Sequence, residues 1–152
     1  MLSLPFDKKK KRQIVLKNFN NPTHEVSLTK LREISSSLNI PLRTFSSLNI
    51  GCGDTVHLFI QKKADLIALT RFASEQQACC LTIASANILC CWMENKNIEL
   101  VKAEINQIER MLQGKIYQLS NCPQMKIFQD LPNFPHRTEC VNLVLRGIKK
   151  TL

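Results

Sequence analysis

The sequence predicts an α+β fold, a small three-stranded antiparallel sheet with helices packed on one face. Three observations predict it. The elements run helix, strands, then helices; Val56, Leu58 and Ile60 alternate with Thr55, His57 and Phe59 at the period of a strand; and Ile98, Val101, Ile105, Ile108 and Leu112 recur at the steps of three and four that mark an amphipathic helix. At 152 residues one domain spanning 1–152 is expected, long enough to bury a core without disulfides.

The first helix is expected from Phe6 to Phe19, carrying the basic run Lys8 to Arg12 on its first turns and stopped by Asn20-Asn21-Pro22. Between Pro22 and Pro41, Leu28, Leu31, Ile34 and Leu38 keep an approximately helical spacing within a polar stretch, which predicts a short helix. Strands follow over Arg43–Leu48, Thr55–Ile60 and Leu66–Ala73, the last two joined by the polar turn Gln61 to Asp65. Gly51-Cys52-Gly53-Asp54 falls at the first strand junction, where glycine permits a tight turn. Cys79 to Met93 reads as a helix that is apolar nearly all round, hence buried on several sides. The next helix has Asn97 as its cap and Gly114 just beyond its end. Lys115 to Pro135 reads as a looser connection with one short helix near Met125 to Asp130, and a last helix is expected from Glu139 to Thr151.

Composition narrows the class of function. With 44% hydrophobic and 22% charged residues the chain is ordinary for a globular protein. No apolar run approaches the roughly 20 residues that span a bilayer, and the N-terminus lacks a secretory pattern, so a cytoplasmic protein without a membrane partner is expected. In that reducing compartment the 7 cysteines read as thiols or metal ligands rather than disulfides. The net charge of +9 suits nucleic acid, an anionic surface or an acidic protein, and a basic nucleic-acid-binding module is one candidate function. A single Tyr and a single Trp supply base stacking poorly, which makes nucleic acid the weakest of these partners.

Cysteine spacing excludes one arrangement and leaves another open. Cys79-Cys80 and Cys90-Cys91 lie eleven residues apart on one predicted helix, about 16 Å at 1.5 Å per residue, too far to share a zinc ion. Cys90 and Cys91 are read as small core residues, and Cys122 has no assigned role. Cys52 on a turn, and Cys79 and Cys140 at helix starts, either converge at one end of the sheet or are scattered buried thiols; spacing alone fits both. His24, His57 and His136 are read as surface or strand residues, with His136 four residues before Cys140.

Ordered motifs add a resemblance that covers most of the chain. Arg12-Gln13-Ile14-Val15 with Asn21-Pro22, Cys52-Gly53-Asp54, Cys79 followed by Ile83-Ala84-Ser85-Ala86, Gln113-Gly114-Lys115, and Phe134-Pro135-His136-Arg137-Thr138-Glu139-Cys140 resemble the NifU/IscU-type iron-sulfur cluster assembly proteins, and within them the SufU branch. The stretch near 115–133 resembles the insertion that separates SufU from IscU proteins, and a polar insertion stands near 27–38. The sequence departs from the family at Glu139, where IscU scaffolds carry histidine, at Ala78 in place of glycine, at Asn18 in place of a histidine, and at the additional thiol Cys80.

The resemblance implies a SufE/NifU-like fold and a metal site of Cys52, Asp54, Cys79 and Cys140 holding Zn2+. It implies that Cys52 accepts sulfur as persulfide from a PLP-dependent cysteine desulfurase of SufS type, with Arg137 as partner or thiolate support, a zinc-dependent sulfurtransferase role. The alternative it implies is a scaffold that binds iron or a [2Fe-2S] cluster on the same ligands and passes it to downstream cluster-assembly or apo iron-sulfur proteins.

Overall fold

The computed structural model describes residues 7–47, 54–75 and 78–152. Helix α1 spans Lys8–Asn20 and begins where the Asp7 carboxylate accepts the amide of Lys10; Pro22 follows its end. Helix α2, Leu28–Leu38, is capped by the Ser27 hydroxyl and stopped by Asn39 in the left-handed conformation, φ 54°. Strands β1, Arg43–Ser46, β2, Thr55–Lys63, and β3, Leu66–Glu75, form an antiparallel sheet in the order β1-β2-β3. Leu48, expected at the end of β1, lies outside the described residues.

Helix α3 is Cys80–Met93, with Cys79 as its N-cap. In α4, Ile98–Leu112, the Asn97 side chain accepts the amides of Glu99 and Leu100, and Gly114 turns the chain at φ 73°. The connection that follows holds two 3-10 helices, Pro123–Phe128 and Leu131–Asn133; the first is the short helix expected near Met125 to Asp130, beginning and ending two residues earlier because Pro123 sits at its first position. Helix α5 runs Pro135–Thr151 and starts four residues before the expected Glu139. Pro135 sits at the first helical position, where its missing N–H costs nothing. Cys140 therefore lies in the second turn of α5, not at its start.

The two faces of the sheet carry different layers. Val56, Leu58 and Ile60 of β2, with Phe72 of β3, belong to the main core, into which α3, α4 and α5 bury Leu89, Met93, Ile105, Ile108, Val144 and Ile148. The helices expected on one face are these, with α1 packed outside α3. Helix α2 is the exception: it covers the opposite face, where Leu31 and Phe59 are fully buried with Ala73. Gly147 of α5 makes close approach to the sheet possible, since a Cβ there would lie 2.7 Å from Phe45 Cδ2 and 2.8 Å from Leu58 Cδ1. The outer edge of β3 is covered by its own chain, through Val26 N–H to Phe72 O and Phe72 N–H to His24 O. Among the described residues no helix is long and apolar enough to cross a membrane.

Candidate metal centre

Helix α3 has an N-terminus that its own first residues leave uncapped, because the Cys79 side chain makes no capping hydrogen bond. The cap comes from the start of β2. Both Asp54 carboxylate oxygens accept the Cys79 amide, at 3.1 and 3.2 Å, and Oδ2 accepts the Thr82 hydroxyl at 2.6 Å. A buried carboxylate is stabilised in this position by the positive end of the helix dipole as well as by its donors. Thr82 also reaches the Cys140 carbonyl at 3.3 Å, so one hydroxyl links strand, α3 and α5.

These contacts bring together residues far apart in sequence. One donor atom each from Asp54, Cys79 and Cys140 lies within 4.8 Å of the others. Cys79 has its acidity pushed to about 6, first by the Cys140 thiol that donates to it, then by the amides of Leu81 and Thr82 at the helix start; burial and the Asp54 charge oppose this. The Cys140 thiol also lies 3.9 Å from the His136 carbonyl.

The donor set fits a tetrahedral metal ion. Zinc takes thiolate and carboxylate ligands at about 2.0–2.3 Å, so its donors stand roughly 3.5–4 Å apart, within the span that these three groups already occupy. Two soft sulfurs with one oxygen suit zinc or iron better than magnesium or calcium. Thr82 and the Cys79 amide supply the outer hydrogen bonds that orient the Asp54 carboxylate.

The remaining ligand of the expected four, Cys52, lies outside the described residues together with Gly51 and Gly53. The ends of that connection are described. Ser47 N–H donates to Asp54 O at 2.9 Å, Arg146 of α5 donates to Ser46 O at 3.3 Å, and Glu139 pairs with Arg146 at 2.8 Å. Glu139 thus points its charge at α5's own arginine.

Comparison with known proteins decides the family: the profile of the NifU-like N-terminal domain matches residues 10–141. The chain belongs to this family. A relative of the NifU-like domain, the zinc-dependent sulfurtransferase SufU of Bacillus subtilis (strain 168), is 25% identical over 140 residues, 91% of this chain and 86% of that protein. Among solved structures, a putative iron-sulfur cluster assembly scaffold protein for the SUF system from Fervidobacterium islandicum AW-1 superposes with a TM-score of 0.75 at 18% identity, covering 91% of this chain and 93% of that one. A nitrogen-fixing NifU-like protein (N-terminal) from Brucella abortus gives 0.72 at 17% identity, covering 96% and 90%. Their likeness establishes the NifU-like fold.

The other candidates in this NifU-like domain separate clearly. Cys80 is half-buried beside Cys79, and burial followed by the Cys79 charge raises its pKa. Cys90 is fully buried, as expected of a core thiol, and burial pushes it up to about 12. Cys91 is exposed, against expectation: on α3 it is one residue, or about 100°, past Cys90 and faces outward. Cys122 is buried, with its amide held by the Glu104 carboxylate. Arg137 stands 5.2 Å above the Phe134 ring, both exposed at the start of α5. His57 is a buried strand residue hydrogen-bonded to Thr44 and Glu75. His24 pairs with Glu94, which its spacing in the sequence gave no sign of. Thr82 was missed as well; a threonine three residues after the N-cap cysteine is the signal that could have found it.

Proposed function

We propose that this protein works in iron-sulfur cluster assembly by accepting sulfur from a PLP-dependent cysteine desulfurase at a zinc-holding site made by Cys52, Asp54, Cys79 and Cys140. The observation that carries the reading is the meeting of Asp54, Cys79 and Cys140 donors within 4.8 Å. The SufU relative, named as a zinc-dependent sulfurtransferase, supports zinc as the resident ion. The insertions near 27–38 and 115–133 belong to the same reading of 1–152 as one SufU-like domain.

Bound zinc would keep the thiols deprotonated and hold three segments of the chain together. The transfer itself belongs to the protein's cysteines. The Cys52 thiolate attacks the outer sulfur of the desulfurase persulfide, the enzyme's S–S bond breaks, and the enzyme cysteine leaves as thiolate while Cys52 carries the new persulfide. Cys79, Cys140 and Asp54 remain as the anchored part, because all three are tied to α3 through Thr82 or the Cys79 amide. Arg137 over Phe134 is an exposed cation on an apolar ring beside this anchor, which suits docking of the desulfurase.

The test is desulfurase turnover. Addition of the protein raises alanine release, Cys52→Ala removes the increase, and protein purified without added metal contains zinc. A scaffold for a [2Fe-2S] cluster is the second reading, favoured by the printed role of the Fervidobacterium relative. Iron with sulfide in the purified protein, and a stable chromophore that needs Cys52, Cys79 and Cys140, would replace the first reading with the second.

A further inference from the structure

Helix α1 breaks the electrostatic rules of helix design. Lys8, Lys9, Lys10, Lys11, Arg12 and Lys17 put six of the 21 cationic side chains on one 13-residue helix that contains no acid. Four of the lysines occupy its first turn, where the positive end of the dipole repels them, and Lys8 and Arg12 face each other at i, i+4. Asp7 supplies the cap and Asp130 pairs with Lys11. Lys8, Lys9, Arg12 and Lys17 have no ion pair among the described residues.

The inner side of α1 is apolar and already used: Ile14, Val15 and Phe19 pack on the core, and Asn18 Oδ1 accepts from Asn87 at 2.8 Å. The outward side carries Lys9, Arg12, Gln13, Leu16, Lys17 and Asn20, all exposed, with Leu16 at 40% exposure in the middle of the cations. Asp7 and Asp130 offset only part of this repulsion, and local rules are broken in this way where charges serve something other than stability.

We infer that the outward face of α1, Lys9, Arg12 and Lys17 around Leu16, is a docking surface for an acidic protein segment that presents an apolar side chain between its carboxylates. Cations steer and orient such a partner, and Leu16 gives it an anchor. A phosphate backbone would use the charges but leave Leu16 without a function, and this face has no aromatic ring for stacking a base. The inference stands apart from the metal centre and survives or fails without it.

The experiment uses the whole chain and a fluorescein-labelled helical peptide with glutamates flanking leucines at i, i+4 spacing. Binding is read by anisotropy at two salt concentrations, with a labelled DNA duplex as the competing probe. Lys9→Glu/Arg12→Glu/Lys17→Glu is expected to weaken peptide binding at least tenfold. Lys63→Glu/Lys102→Glu/Lys150→Glu, exposed positions on β2, α4 and α5 with the same change in net charge, is expected to weaken it less than threefold. Leu16→Ala lowers affinity about threefold, and this loss persists at high salt. Tm is read on each variant: Lys9→Glu and Arg12→Glu relieve repulsion at the start of α1 while Lys17→Glu opposes the dipole in its last turn, so Tm is expected to move by no more than about 3 °C, and Lys9→Glu/Arg12→Glu alone carries the test if the triple variant does not fold. Equal losses from both triple variants would reduce the effect to bulk charge and overturn the inference. So would DNA binding that depends on α1 without peptide binding, or no binding of either probe.

Discussion

The two ends of α3 are both polar, and they resolve their charges in opposite ways. At its C-terminal end Glu94 stands against the negative end of the dipole, yet it is answered by Arg71 at 2.9 Å, by His24 and by the Thr70 hydroxyl. Asn87, about two turns earlier, completes the network with the His24 amide and Asn18. At the N-terminal end the Asp54 carboxylate and the Cys79 and Cys140 sulfurs crowd within 4.8 Å, groups that repel once ionised. Acid balanced by base is how a fold buries charge for its own sake; anionic donors gathered together prepare a place for a cation from outside.

The sharpest way to break the comparison is to titrate the thiols of the one helix. Cys79 is lowered to about 6 and Cys90 raised to about 12. Only thiolate reacts with iodoacetamide, so in metal-free protein at pH 7 Cys79 is expected to label at least about 1,000-fold faster than Cys90. The sign of the pH response also differs. Cys79 labelling has its midpoint near pH 6 and levels off above about pH 7, while the Cys90 rate, read before any unfolding, keeps climbing through alkaline pH. Peptide mass mapping over a pH series measures both, and similar profiles for the two residues would dissolve the contrast. Zinc loading is expected to suppress labelling of Cys79 and leave the slow labelling of Cys90 unchanged.

A second test exchanges the ends. Cys140→Ser is expected to weaken zinc retention about 100-fold or more, measured by elemental analysis after dialysis against a chelator series. Glu94→Ala is expected to leave about one zinc per chain but to lose about 2 kcal/mol in urea unfolding, because Arg71 and His24 keep their burial and lose their anion. Glu94→Gln recovers part of that loss. If Glu94→Ala instead released the metal, the two ends would be one coupled unit and the distinction would fall.

The sequence made the elements legible wherever local signals were strong. The Asn97 cap, the three-and-four spacing of Ile98 to Leu112 and Gly114 state α4 almost completely. The alternation in β2 and the polar turn before Leu66 state the hairpin. The start of α5 was hidden because Pro135 reads as a loop breaker, although proline at a first helical position is equally consistent with its chemistry. In the site, the motifs named Asp54, Cys79 and Cys140, but not the manner of their meeting. Asp54 capping a helix 25 residues later, with Thr82 bridging to α5, is a tertiary contact that no local pattern encodes. His24 with Glu94, 70 residues apart, was illegible for the same reason.

The smallest expected effect tests how α5 seats Cys140 against the rest of the centre. Gly147 lies two turns beyond Cys140, where α5 touches the sheet through Phe45 and the fully buried Leu58. Alanine would help the helix by up to about 1 kcal/mol, but its methyl must displace both side chains, which costs about 1–3 kcal/mol in a packed core. Gly147→Ala is therefore expected to lower stability by about 1 kcal/mol and Tm by about 2–4 °C. The half-buried Phe45 ring yields more easily than the fully buried Leu58 and takes most of the displacement, so Cys140 keeps its place beside Thr82. Zinc affinity should then change less than threefold. A variant as stable as the parent would mean that α5 does not sit this close to the sheet, and one that lost zinc without losing stability would make the seating of α5 part of the metal centre.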